Sequence, residues 1–454
     1  MSIPSDRKPA VAEQATLFDL PAADDPGPAA PLGGGRPRLR RAVRDQVVYR
    51  ALALDALLPP DHAARIIWAY VEGLDLAATY GAIGSVHGGS GRAATDPRIL
   101  LALWLYATSD GVGSARELAR LCRDHLAYQW IAGDVPMNYH TLADFRTDHT
   151  DLLDGLLTRS VATLMAEGLI ELNRVAQDGM RVRADAGAAS FRRRPTLQEA
   201  LIHAEAQVEA LRAEAAGDPA AADRRRKAAR ERAASERADR IKAALGRLPE
   251  LESRKKATQK DQARCSTTDP QATVMKMADG GFRPAYNVQF ATTVGGQAIV
   301  GVDVVASGGD AGQMAPMVEQ VRRRCGLTPS EMLVDGGFAQ HEQIDAVSGP
   351  GVGCTVYAPV PEPRGPKVDR HAAKPGDSQA VAAWRARMAT PQAKEIYKGR
   401  AATAECVNAL ARGRGLVRFV VRGLAKVRAV ALWHAVAHNV MRLARLRAEA
   451  VGAA

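Results

Sequence analysis

The hydrophobic pattern of this chain changes its period along the sequence, and these changes limit the fold more than any other feature. From about residue 45 to about residue 171, apolar residues recur at helical spacing, and a strand-like segment, ELNRVAQDGMRVRADAG, follows. After residue 261, strand-like runs such as AYNVQFATTV alternate with helix-like runs such as GQMAPMVEQVRRRCG. Because alternating strands and helices build a sheet covered by helices, this half of the chain predicts an α/β layer.

A different pattern separates the first strand-like segment from the later ones. Residues 195–256 carry two heptad-like helices, broken by the sequence GDP at 217–219, which predicts an antiparallel helical hairpin. Its outer faces are densely basic, and this charge is either a solvated surface or a contact surface for DNA or a partner. The density of one cluster favours contact. That cluster is Arg224, Arg225, Arg226 and Lys227.

The region before residue 171 contains several helix-start signals. Pro97 stands at a first-turn position, Ser114 and Glu117 have the spacing of a capping box, and a further helix is expected from Thr141. Short helices joined by glycine-containing turns are typical of a helix-turn-helix DNA-binding module. Generic all-α packing gives the same pattern, so both interpretations stay open at this point.

Composition restricts the cellular setting and the class of partner. No apolar run approaches the roughly 20 residues of a membrane-spanning helix, and the first residues lack an apolar export signal, so we expect a cytoplasmic protein without membrane contact. Its five cysteines are scattered, which argues against disulfides and structural zinc. The net charge of +11 favours a polyanionic partner.

Two aspartates share a local sequence setting. In RVAQDG and MLVDGG, an apolar run is expected to stop at an Asp-Gly pair, which places Asp178 and Asp335 at the ends of strands. An Asp-Gly pair is in the first instance a turn signal. Two carboxylates at the ends of neighbouring strands would repel each other, however, and a hard divalent cation is the usual remedy. A third acid, Glu405, lies on a late helix, where a lone glutamate is ordinarily a surface residue.

Together these residues carry a family resemblance. Asp178, Asp335 and Glu405 lie in that order on strand, strand and helix, accompanied by YNVQ, LVDGGF and the pair Tyr397-x-x-Arg400. This arrangement resembles bacterial insertion-sequence transposases of the Asp-Asp-Glu (DDE) class, in particular the insertion-sequence 1182-like group. The likeness extends over residues 45–446, because the N-terminal helices and the tail segment RGLAKVRAVALWHAVAHNVMRL share it.

The resemblance implies an α+β multidomain fold. A helical N-terminal DNA-binding domain would precede an RNase H-like α/β catalytic core, and the helical hairpin would interrupt this core after its first strand. With the arm, the expected division is a disordered arm at 1–44, a helix-turn-helix-like DNA-binding domain at 45–170, the first part of the core at 171–194, the basic hairpin at 195–260, the remainder of the core with C-terminal helices at 261–446, and a tail at 447–454.

The resemblance also implies a mechanism. Two Mg²⁺ ions, with Mn²⁺ as a substitute, would be bridged by Asp178 and held by Asp335 and Glu405. They would activate water to cut double-stranded DNA at the element's ends, and then the freed 3′-OH for transfer into target DNA. Arg400 and Arg412 would contact phosphate, and at least a homodimer would assemble on the DNA.

One departure from the family pattern affects the third acid. Four residues separate Arg400 from Glu405, where related elements have three, and one residue rotates an α-helical side chain by about 100°. Glu395 is therefore a weaker alternative to Glu405. Two other functions also stay open, namely an RNase H-like nuclease that does not transfer strands and a catalytically inactive DNA-binding protein. The intact acids count against the second.

Two further motifs allow more than one interpretation. In the arm, Gln14, Leu17 and Phe18 resemble the Gln-x-x-Leu-Phe motif by which bacterial DNA-processing proteins bind the replicative sliding clamp, although the segment is otherwise an ordinary linker. In the last helix, His434 and His438 have a spacing that could hold a metal ion. Their apolar neighbours instead favour a helix packed in the core.

Overall fold

A computed structural model of the protein describes residues 53–85, 93–217, 221–362 and 369–453. The arm at 1–44 lies outside the described residues, and so do the three residues of the predicted clamp motif: Gln14, Leu17 and Phe18. Residues 52–454 group into one unit by their internal contacts. Among the described residues, no helix is both long enough and apolar enough to cross a bilayer.

The described part of the chain begins with helices. Asp96 accepts a hydrogen bond from Arg98 N (2.8 Å) at the start of the helix that Pro97 opens, and Ser114 caps the next helix, as its sequence predicts. The helix expected from Thr141 starts earlier, because Asn138 caps it. The bounds are α1 (Ala63–Glu72), α2 (Ala77–Gly81), α3 (Pro97–Ser109), α4 (Ala115–Asp124), α5 (Leu126–Ala132), α6 (Tyr139–Asp148) and α7 (Thr150–Ala166).

Strands follow, and most of them form one mixed sheet. Their bounds are β1 (Arg174–Arg183), β2 (Phe191–Arg192), β3 (Cys265–Ser266), β4 (Thr273–Lys276), β5 (Phe282–Thr293), β6 (Ile299–Val305), β7 (Glu331–Leu333) and β8 (Thr355–Tyr357). The strand order is β4-β5-β1-β7-β8, and β6 also pairs with β5. Strand β5 is antiparallel to β1, whereas β7 and β8 run parallel to it. This topology fits an RNase H-like core, and the α+β class expected from the sequence is confirmed.

The remaining helices surround the sheet or form the hairpin. Their bounds are α8 (Arg194–Gly217), α9 (Ala221–Ser253), α10 (Met314–Cys325), α11 (His341–Ser348), α12 (Gln379–Ala389), α13 (Pro391–Arg400), α14 (Cys406–Gly413) and α15 (Leu424–Ala453). A π-helical turn, Ala401–Glu405, joins α13 to α14. The strand and helix alternation predicted after residue 261 is therefore present, although the short strands β3 and β4 were not expected.

Helices α8 and α9 form the predicted antiparallel hairpin. Ion pairs join the two helices. Arg194, at the start of α8, pairs with Glu252, near the end of α9 (2.8 Å), and Lys242 pairs with Glu205 further along the hairpin (2.9 Å). The heptad positions pack into a hydrophobic cluster of their own, distinct from the main core. Its buried members on the two helices are Leu197, Ala204, Val208, Ala234, Ala238, Ile241, Ala244 and Leu248.

Helix α15 joins the N-terminal helices to the sheet. Trp433 Nε1 donates to Arg146 O on α6 (2.9 Å), while Asn439 Nδ2 donates to Ile299 O on β6 (2.8 Å). Burial lowers the pKa of His434 to about 3 and that of His438 to about 4, so both are neutral core residues at physiological pH. The interpretation of this segment as a core helix is confirmed.

Candidate active site

Strand β1 does not end at Asp178, so that expectation was wrong. The strand continues to Arg183, because Asp178 and Gly179 remain in antiparallel register with Phe290 and Gln289 of β5. An Asp-Gly pair forms a turn only where no partner strand holds its backbone extended. Here β5 supplies that partner from Val175 to Arg183.

Asp335 lies where the sequence placed it, directly after a strand. Strand β7 ends at Leu333, and Asp335 Oδ1 accepts a hydrogen bond from Gly337 N (2.8 Å), which forms the expected turn. Leu333 is paired in parallel with Ala176 of β1. Asp178 and Asp335 each follow this last pair by two residues, so they lie side by side where β7 stops and β1 continues.

Arg400, the last residue of α13, joins the acids. Its Nη2 atom donates to Asp178 Oδ1 at 3.1 Å and lies 3.9 Å from Asp335 Oδ2. Its Nη1 atom lies 3.5 Å from Glu405 Oε1. We call Asp178, Asp335, Glu405 and Arg400 the acid site. Exposure of the acidic side chains increases outward from 17% for Asp178 through 40% for Asp335 to 62% for Glu405, so the site opens to solvent on the glutamate side.

The π-helical turn explains how Glu405 reaches the site despite the extra residue. In an unbroken α-helix, residues five apart point in directions that differ by about 140°. The Ala401–Glu405 turn is π-helical, a geometry in which hydrogen bonds connect residues five apart. The turn absorbs the additional residue, and Arg400 and Glu405 therefore face each other.

The surroundings of Asp178 favour a nearby cation. Its Oδ2 accepts from Asn408 Nδ2 (3.0 Å), and its Oδ1 accepts from Gly179 N (3.0 Å) as well as from Arg400. Burial raises the pKa of Asp178, the charge of Arg400 opposes this, and the Asp335 carboxylate raises it further. A positive charge among these acids lowers the cost of keeping them ionised. Asn408 was not predicted from the sequence, although it lies one helical turn after Glu405.

Two other residues from the sequence analysis lie apart from this site. Glu395 is 73% exposed and pairs with Lys398 (2.6 Å). Arg412 is exposed on α14, and within the described residues its side chain forms no hydrogen bond or ion pair. The structure therefore brings together Asp178, Asp335, Glu405 and Arg400, and leaves Glu395 and Arg412 on the surface.

The predicted basic cluster occupies the first half of α9. Arg224 and Arg226 are exposed, and Lys227 is half-buried. For Arg225, the structure describes only its position in the helix. Beyond the cluster, interhelical pairs such as Arg230 with Glu214 (3.6 Å) neutralise part of the basic charge.

Comparison with known families identifies the chain. Residues 52–148 match the family described as Transposase domain (DUF772), and residues 354–444 match the family described as Transposase DDE domain. The chain is a DDE transposase. No curated protein and no solved structure matches it.

The two family matches contain only part of the acid site. The DDE domain match contains Arg400, Glu405 and Asn408, whereas Asp178 and Asp335 precede it. The assignment of the two aspartates to the same site therefore depends on the geometry around Arg400. The first match covers α1 to α6, which contact the DDE region through α15.

DDE transposases use divalent metal ions, and the acids of this transposase have suitable chemistry. Carboxylate oxygens are the ligands that Mg²⁺ prefers, and the three acids surround a cation, namely the guanidinium of Arg400. In the described part of the chain, however, no three acidic, histidine or cysteine side chains are arranged as a ready metal site. The carboxylates therefore fit such an ion as ligands, and in this structure the guanidinium of Arg400 lies between them.

Proposed function

We propose that this transposase binds the ends of its insertion sequence, cuts the DNA there and transfers the cut ends into target DNA, with Asp178, Asp335 and Glu405 as the catalytic acids. One observation carries the proposal. Acids from β1, from the end of β7 and from the turn before α14 converge on a single guanidinium. Three acids around one base leave an excess of negative charge, which is unfavourable and which a divalent cation would offset.

The three acids would hold divalent ions, and we propose two Mg²⁺ ions, with Mn²⁺ as a substitute. When bound, such ions promote ionisation of the attacking water or 3′-OH and stabilise the leaving oxygen. Asn408 keeps the Asp178 carboxylate oriented through its hydrogen bond to Oδ2. Arg400 offsets part of the charge of the acids before the ions bind and is positioned to contact a phosphate at the same place.

For DNA binding, we propose that the helical region 45–170 recognises the ends and that the hairpin at 195–260 supplies phosphate contacts. The exposure of Arg224 and Arg226 on α9 supports the second role. In this arrangement, residues 171–194 and 261–446 form the RNase H-like core, and Arg412 adds a further phosphate contact. We also propose membership of the insertion-sequence 1182-like group, a cytoplasmic setting, and a homodimer or larger assembly that brings two DNA ends together.

The arm carries a motif for a further partner. We propose that Gln14, Leu17 and Phe18 dock on the replicative sliding clamp, with the two apolar side chains filling a pocket. A peptide spanning residues 10–22 should bind purified clamp at micromolar strength, about −8 kcal/mol, and Leu17→Ala with Phe18→Ala should remove that binding. Unchanged binding of the double variant, or none by the parent peptide, would make the segment a plain linker.

A cleavage and joining assay tests the proposed function. The purified full chain is incubated with Mg²⁺, labelled DNA that carries the sequences flanking its gene, and an unlabelled target plasmid. Labelled DNA joined to the plasmid is expected, and a scrambled end should give none. Cut ends without joined products would indicate a nuclease that does not transfer strands. A mobility shift without cutting would indicate an inactive DNA-binding protein.

A further inference from the structure

A fourth carboxylate lies behind the acid site. Asp310, in the loop between β6 and α10, accepts hydrogen bonds at its Oδ1 from Asn287 Nδ2 (2.8 Å) and Gln289 Nε2 (2.7 Å). Both amides belong to the YNVQ segment of β5, one of the motifs that carry the family resemblance. Asn287 and Gln289 are fully buried, so this segment presents two fixed amide donors to one carboxylate.

Asp310 lies next to both backbone segments that carry the proposed catalytic aspartates. At Gly179, which follows Asp178, a Cβ atom would lie 2.2 Å from Asp310 Oδ1, so only glycine allows the carboxylate to pack on β1. At Gly337, a Cβ atom would lie 3.9 Å from Asp310 Oδ2 and 3.0 Å from Asp335 Oδ1. Asp310 thus reaches β1 with one oxygen and the loop of Asp335 with the other.

The surrounding groups leave the Asp310 charge uncompensated. No lysine, arginine or histidine within the described residues forms an ion pair with Asp310. Arg181 contacts the same loop, but it donates to Gly308 O (2.7 Å) and not to the carboxylate. Neutral amides hold this charge next to the acid site.

The amides are themselves fixed by a buried network. Gln177, on β1 beside Asp178, donates from Nε2 to Gln289 Oε1 (3.2 Å) and to Gln313 O (3.1 Å). Asn287 Oδ1 is buried without a hydrogen-bond partner among the described residues and faces the space above Gly179. A buried polar oxygen without a partner is costly, which indicates that this network is retained for more than stability.

We propose that Asp310 is a positioning residue of the active site: it fixes the segments of Asp178 and Asp335 relative to each other and strengthens divalent-cation binding by its charge. The proposal rests on the metal site proposed above. Outer carboxylates that orient the ligands of a metal typically change its affinity by 10- to 100-fold.

The variant Asp310→Asn separates charge from packing. Both hydrogen bonds end on Oδ1, so an asparagine can accept both through its own Oδ1 while it loses the negative charge. Glu342→Gln is the matched control, since it removes the charge of an exposed acid on α11. Asp310→Ser is a second charge-free variant in case the asparagine disturbs folding, which the melting temperature of each variant reports.

The measurement is Mn²⁺ binding by the full chain without DNA, followed by the Mg²⁺ dependence of cleavage. Asp310→Asn should raise the Mn²⁺ dissociation constant about tenfold, whereas Glu342→Gln should leave it unchanged. Cleavage by Asp310→Asn should return near the parental rate at saturating Mg²⁺. An unchanged Mn²⁺ dissociation constant in both Asp310 variants would overturn the proposal, even if cleavage fell. Absence of Mn²⁺ binding by the parent chain would contradict the proposed metal site itself.

Discussion

The acid site and the helical hairpin treat charge in opposite ways. In the acid site, four charged groups from distant parts of the chain share one location, and Asp178 and Arg400 are only 17% and 12% exposed. In the hairpin, the charged side chains lie on the outside and form separate pairs. Lys242 on α9, for example, pairs with Glu205 on α8, and the two side chains are 53% and 49% exposed. The acid site therefore concentrates charges of both signs at one place, whereas the hairpin spreads them over its surface.

This difference predicts how each region responds to substitution. Exposed ion pairs typically contribute about 0–1 kcal/mol each and act independently, so the hairpin should tolerate the loss of single charges. Charges that contact one another are coupled, and removing one changes the energy of the others. The acid site therefore suits the proposed binding of divalent cations, which needs a strong local electric field. The hairpin suits the proposed contacts to DNA phosphates, which are many and individually weak.

The largest effect is expected from the acids. Asp178→Asn, Asp335→Asn and Glu405→Gln should each abolish Mg²⁺-dependent cleavage, because each removes a proposed metal ligand without removing a core side chain. DNA affinity and melting temperature should stay near parental values. Glu395→Gln, which alters an exposed acid paired with Lys398, is the matched control and should cut normally. An active Glu405→Gln with an inactive Glu395→Gln would assign the third acid to Glu395.

A smaller effect, on stability, is expected from Arg400→Ala. The three acids would lose their shared counter-charge, which should lower the free energy of unfolding by about 3 kcal/mol, the lower end for a broken buried pair. Mg²⁺ should then stabilise Arg400→Ala more than the parent, because no guanidinium competes for the acids. Denaturant unfolding with and without Mg²⁺ measures both quantities.

Arg412→Ala is the control for this experiment, since it removes an arginine that is exposed on the neighbouring helix. It should change neither the stability nor the response to Mg²⁺. Equal behaviour of Arg400→Ala and Arg412→Ala would show that the guanidinium contacts in the acid site contribute nothing to stability, and the contrast between the two regions would be lost.

The smallest effect per residue is expected in the hairpin. Changing Arg224, Arg225, Arg226 and Lys227 to Ala should weaken DNA binding and reduce its salt dependence by roughly 0.9 in the log-log slope for each lost phosphate contact. Stability should hardly change. Binding titrations at several salt concentrations measure the slope. Lys242→Ala, whose ammonium is already paired with Glu205, should leave it nearly unaltered. A parental slope in the fourfold variant would make this surface merely solvated.

Much of the local structure follows directly from the sequence. Pro97 in a first turn, the capping box from Ser114 and the heptad spacing of the hairpin set the ends and faces of helices, because these signals act between residues a few positions apart. The short strands β3 and β4 escaped prediction, since two to four residues carry too little periodic pattern.

The sequence by itself indicated most of the elements and their order, and it singled out the three acids that the structure brings together around Arg400. Only the tertiary structure decided that β1 continues past Asp178, that a π-helical turn restores Glu405 to the face of Arg400, and that Asp310 packs on Gly179. The physical reason is distance along the chain. Caps and periodicity act locally. The pairing of β1 with β5, the ion pair of Arg400 with Asp178 and the packing of Asp310 on Gly179 each join residues more than 100 positions apart. No short stretch of sequence specifies such a contact.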